Sequence, residues 1–125
     1  MLAHAGRADA AVDYAERALR LTPVGPESVN PNIGLAIAHC STGNFERAAA
    51  AASHAAQANP RFSLAHVLHA AALASSGRDD EARLALRRAV EIEPDFTVAG
   101  FVKAHTGRPD IWNPIGGALR RVEVG

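Results

Sequence analysis

Two histidines three residues apart, His66 and His69, and an adjacent pair, His39 and Cys40, are the residues whose types and spacing most invite a chemical role. Histidines three apart share one face of a helix, but zinc needs three or four ligands converging at roughly 2.0–2.3 Å. Cys40 beside an imidazole has the start of a thiol nucleophile, yet no third orienting residue and no oxyanion loop accompany it. The acidic run Asp79, Asp80, Glu81 opens a segment of helical periodicity, where carboxylates complement the positive end of the helix dipole, so a structural role outranks acid–base work. Gly116 and Gly117 belong to no G-x-x-x-x-G-K-[ST] pattern, so no phosphate loop is encoded. The expectation is an absence of catalytic residues, bound cofactor and metal.

The elements that carry these residues repeat. "GNFERAAAAASHAAQANP" at 43–60 and "GRDDEARLALRRAVEIEP" at 77–94 both run from glycine to proline, with Gly43/Gly77, Ala48/Ala82, Ala55/Ala89 and Pro60/Pro94 each 34 residues apart. An earlier copy, "GRADAAVDYAERALRLTP" at 6–23, precedes the middle one by 37 residues, and the extra three fall in "PVGPESVNP" (23–31), a proline- and glycine-rich connection. A period of this length marks stacked supersecondary units.

Each unit reads as two helices. The segments 31–42 and 63–76 are apolar on most sides and stop at Gly43 and Gly77, where glycine supplies the left-handed residue of a helix terminus. The segments that follow carry apolar residues at helical spacing, such as Ala82, Leu86, Ala89 and Val90, and end before a proline, which disfavours helical geometry in the residue ahead of it. The alanine run is thus a second helix with thin side chains, strong in helix propensity and open to close approach by its neighbours. Thr97 is a candidate N-cap for a further first helix. Beyond it, an amphipathic stretch using Ile111, Trp112, Ile115, Leu119 and Val122 reads as a C-terminal lid.

Period, glycine and proline together resemble the tetratricopeptide repeat, a helix-turn-helix unit that stacks into a superhelix. Its two small residues and closing proline match Ala11, Ala18 and Pro23, then Ala48, Ala55 and Pro60, then Ala82, Ala89 and Pro94. Its large positions depart from the pattern, with Asn32 and His66 in place of tryptophan and Ala15 and Ala52 in place of a large side chain. The resemblance implies an all-α fold, an α-solenoid of about three antiparallel helix pairs with a C-terminal capping helix. It divides a single domain, 1–125, into units near 1–25, 29–62 and 63–96, a partial fourth unit and a lid over 97–125, with Met1 part-way along the first helix of the first unit. It also implies that His39, His66 and His69 fill packing positions.

In that family the first helices line a concave groove. Here this implies a partner-binding surface of Asn30, Ile33, Ile37, Cys40, Leu64, Val67, Leu68 and Ala71, apolar and without the lysines and arginines that grip acidic peptide termini. Such a groove suits an amphipathic helix. The units and the closing "ALRRVEVG" further resemble the C-terminal repeat region of bacterial class III adenylate cyclases and winged-helix regulators, whose catalytic or DNA-binding domains stand upstream.

Composition bounds the partners. Thirteen basic and thirteen acidic residues balance to a net charge of zero, which disfavours nucleic acid and anionic membrane surfaces. The single Cys40 excludes an internal disulfide and fits a cytoplasmic setting. With 48% hydrophobic but only 5% aromatic residues, and 28 alanines, the core must be built of small side chains. The expected function is non-catalytic binding of a protein or peptide. The alternatives are self-association as a homodimer through the first repeat, which begins part-way along its first helix, and a metal or small-ligand sensor built on His66 and His69.

Overall fold

A computed structural model describes the backbone of residues 2–105 and 109–123 and the side chains of 9–105 and 111–123. Among the described residues the chain is all-α: α1 (Leu2–Leu21), α2 (Val29–Ser41), α3 (Phe45–Ala58), α4 (Ser63–Ser75), α5 (Asp79–Ile92), α6 (Val98–Ala104) and α7 (Pro109–Val122). Short turns make α2/α3 and α4/α5 antiparallel pairs, and α3 packs on α4 as α1 does on α2.

The two intra-pair turns are built alike. Gly43 and Gly77 both adopt φ +83°. Asn44 N–H donates to the His39 carbonyl at 2.8 Å and Gly43 N–H to Cys40; Arg78 N–H donates to Leu73 at 2.8 Å and Gly77 N–H to Ala74. This is the double bond pattern that satisfies a helix's last carbonyls around a left-handed residue. No atom lies within 4 Å of where either glycine's Cβ would stand, so the requirement is conformational rather than steric.

Two boundaries differ from the sequence reading. α2 starts at Val29 rather than residue 31, because Pro31 then falls in the first turn, where its missing N–H has no intrahelical role. At the other site, Gly6 does not separate two helices: α1 runs through it from Leu2 to Leu21. A glycine inside a helix costs only about 1 kcal/mol, which the flanking helical residues of α1 offset.

The core is thin-walled. Ala36, Ala48, Ala52, Ala55, Ala82 and Ala89 are all 0% exposed, and side chains this small let helix axes approach closely. The repeating pattern ends at α6. Thr97 caps it, its Oγ1 accepting from Gly100 N–H at 3.0 Å, but the helix stops after seven residues. α7 then turns back and packs on α4, α2, α6 and the edge of α5.

Glycine makes the α6/α7 crossing close. A Cβ on Gly116 would stand 2.5 Å from Val102 Cγ2, whereas one on Gly117 would meet nothing within 4 Å. Gly116→Ala should therefore destabilise the protein by about 1–3 kcal/mol. Gly117→Ala, placed in open space on a helix, should stabilise it by up to about 1 kcal/mol. Urea melts of the two variants decide the point, and equal effects would mean that α6 and α7 stand further apart.

Candidate partner-binding groove

α2 and α4 lie side by side, and their shared face is covered by α7. Three α7 residues at i, i+4 and i+7, Ile115, Leu119 and Val122, are 2%, 0% and 1% exposed. They form one contiguous apolar cluster with Ile33, Cys40, Val67, Leu68 and Ala71, on whose margin Ile37, Leu64, Ile111 and Trp112 pack half-buried. Seven of the eight expected groove residues thus lie in or against the same core as the lid. Asn30 stands apart, exposed in the first turn of α2.

Two features that fasten α7 were missed at the sequence level. Arg121 donates to the Ala74 carbonyl and, at 2.8 Å, to Asp79 Oδ1, tying the last turn of α7 to the α4–α5 turn. The other two carboxylates of the acidic run are paired as well, Asp80 with Arg83 at 3.3 Å and Glu81 with Arg78 at 2.7 Å. The Arg78 guanidinium holds the Glu81 carboxyl below the usual carboxylate range. At the start of α7, the Trp112 ring stands 4.4 Å from His105 and edge-on to Phe101 at 5.7 Å, while His105 Nδ1–H donates to the Phe101 carbonyl. Only the Phe101–His105 spacing, i to i+4 on α6, was visible in the sequence; Trp112 joins by the chain reversal.

Of the chemically suggestive residues, His66 and Cys40 are taken up in packing, while the buried Nδ1 of His39 has no hydrogen-bond partner among the described residues. His66 is buried and its Nε2–H donates to the Pro60 carbonyl at 2.9 Å, bracing the α3–α4 connection. Burial pushes the Cys40 thiol up to about 12, so the nucleophilic thiolate is suppressed. No cluster of three or more His, Cys, Asp or Glu that could hold a metal is present among the described residues. Several surface clefts lie beside these residues, two of which bear on the helices described. One of about 560 Å³ lies where α1, α2 and α3 meet, between Glu16, Arg20, His39, Arg47 and His54; one of about 310 Å³ lies among α5, α6 and α7, floored by Leu86, Phe96, Val98 and Val122.

His39 and His69 are held below the ordinary histidine value of 6.5. Burial is the main cause for both; Arg47 adds to it at His39, and His66 and Arg78 at His69. Both rings fold neutral, so their contribution is complete above the unfolded value and is lost as pH falls below 6.5. Acidification from pH 7.5 to 5.5 should lower Tm by on the order of 5 °C. His39→Gln with His69→Gln should flatten that profile in calorimetry, and an unchanged slope would place the acid sensitivity elsewhere.

Residues 33–95, from α2 to just past α5, match the family model of the tetratricopeptide repeat. The chain belongs to that family. The matched span of this tetratricopeptide protein takes in both glycine turns, Pro60 and Pro94, and leaves α1, α6 and α7 outside. Comparison with curated proteins and with solved structures gave no match. Tetratricopeptide repeats generally mediate protein–protein contacts and are typically non-catalytic. No described helix is long and apolar enough to cross a membrane.

Proposed function

We propose that this tetratricopeptide array is a non-catalytic interaction module that receives an amphipathic helix, or a peptide presenting the same apolar spacing, on its α2/α4 face. The observation that carries this reading is the occupant already there. α7 buries an i, i+4, i+7 row on that face, so the face has the chemistry of a helix-receiving groove. Half-buried Ile37 and Leu64 and exposed Asn30 are the groove positions a partner reaches beside α7, and a partner that displaces α7 gains the apolar remainder. The likeness to the C-terminal repeat regions of bacterial cyclases and winged-helix regulators supports a regulatory role in a cytoplasmic bacterial signalling protein.

The test is site-specific photo-crosslinking in the source cell. A photoreactive residue at Ile37 or Leu64 should yield a discrete protein adduct, while one at exposed Arg88 on α5 should yield none. Equal labelling at all three sites, or none in the groove, refutes the reading. With the purified partner in hand, a red shift of Trp112 emission on binding would report displacement of α7.

A further inference from the structure

α2 presents two faces. Ile33, Ile37 and Cys40 belong to the apolar cluster that α7 covers, whereas Asn32, Leu35 and His39, roughly 130° round the helix axis, line the cleft of about 560 Å³ between α1 and α3. Glu16 and Arg20 on α1 and Arg47 and His54 on α3 form its walls. Two of the α2 residues are polar, more than nine-tenths buried and incompletely bonded. Asn32, 3% exposed, donates from Nδ2 to the Ser28 carbonyl at 3.0 Å, while its Oδ1 accepts from no group among the described residues. His39, 7% exposed, makes no side-chain hydrogen bond among them either. Its Nδ1 is sealed without an acceptor. That favours the neutral tautomer with the proton on Nε2, and leaves Nε2–H as the donor available to a ligand. Buried polar atoms in a native fold are otherwise almost always partnered.

The walls add charge. Neither Arg20 nor Arg47 forms an ion pair among the described residues, and Arg47 lies close enough to His39 to help hold its ring neutral. One repeat on, between α3 and α5, the places of Arg20, His39 and Arg47 are taken by Gln57, Leu73 and Glu81, so the donor set is not a product of the repeat pattern. Gln57 and Glu81 are exposed there although α2 packs ahead of α3, so this side of the array is open in an interior unit too. We infer that the α1/α2/α3 cleft binds a small organic oxyanion, a phosphate or a carboxylate. Arg20, Arg47 and His39 Nε2–H donate to the oxyanion, and Asn32 Oδ1 and Glu16 accept from a hydroxyl or amine on the same molecule. Leu19, Leu35 and Ala51 give its body apolar contact. The cleft volume falls within the span of small-molecule sites, roughly 300–1,000 Å³. The site uses the side of α2 away from α7, so it does not rest on the reading of the α2/α4 face.

An NMR titration of the full chain with para-hydroxyphenyl phosphate and para-hydroxyphenylacetate tests the inference. At least one should saturate with a dissociation constant of about 3 mM or less, moving the amides of Leu35, Arg47 and Ala51 and leaving those of α6 and α7 in place. The tighter of the two tells phosphate from carboxylate. Arg20→Gln and Arg47→Glu, which install the residues of the next repeat, should each weaken that binding at least about tenfold. Arg61→Glu makes the same charge change outside the cleft and should alter it by less than about twofold. All three arginines are exposed, so circular dichroism should show every variant folded. Failure of both probes to saturate, binding of neutral para-cresol as tight as that of the anions, or equal weakening by Arg61→Glu overturns the inference. Displacement of both probes by a tighter-binding hexaglutamate peptide would make the cleft a peptide seat and overturn it as well.

Discussion

Leu119→Asp should release α7 from the array and cost at least about 4 kcal/mol. The side chain is 0% exposed within the apolar cluster that joins α7 to α2 and α4. Truncation to alanine alone would remove packing worth about 2–5 kcal/mol. A carboxyl adds a polar group with no donor among its neighbours, so it must either stay protonated or force the helix off. Tm should fall by roughly 12 °C or more, with Trp112 emission moving to longer wavelength as the cluster with Phe101 and His105 opens. Arg120→Asp, on the exposed side of the same helix, should stay within about 0.5 kcal/mol of the parent. If Leu119→Asp melted normally with Trp112 unmoved, α7 would be held by its ends rather than by its apolar row.

Ala52→Leu should destabilise by about 2–3 kcal/mol, although α5 carries leucine at the equivalent point. Ala52 is 0% exposed in α3, a helix packed between α2 and α4, whereas Leu86 is 7% exposed in α5 and faces the smaller covering of α7. Leucine and alanine are both strong helix formers, so the loss would come from overpacking. The reciprocal Leu86→Ala should cost about 2–4 kcal/mol by leaving a cavity. Urea denaturation of both variants measures the contrast. A neutral Ala52→Leu would reveal spare volume beside α3 and would mean that the alanine run was not needed for close approach.

The fold was legible because its signals are local. Glycine after α2 and after α4, proline after α3 and after α5, and alanine at fixed positions within the second helices are read from single residues, and each has its own backbone or packing reason. The seat of α7 was less legible. Its apolar row marked it as amphipathic, but which face receives it depends on where the chain reverses after α6, and on Gly116 lying over Val102, a contact between residues 14 apart in sequence. Arg121 reaching Ala74 and Asp79 is likewise a distant pairing with no local pattern. Gly6 misled for a related reason. Glycine permits a turn but does not impose one, and at Gly43 and Gly77 the turn is sustained by a full helix on either side.

The return of α7 to α2 and α4 also changes how this chain should come apart. A simple repeat stack has neighbour-only contacts and frays from both ends. Here the last helix is fastened to elements near the middle of the sequence, so opening the C-terminal side means breaking long-range contacts together with the pairs beneath them. Amide exchange should accordingly find α7 nearly as slow as α4, with α1 exchanging first, which gives the array one soft end and a single cooperative block.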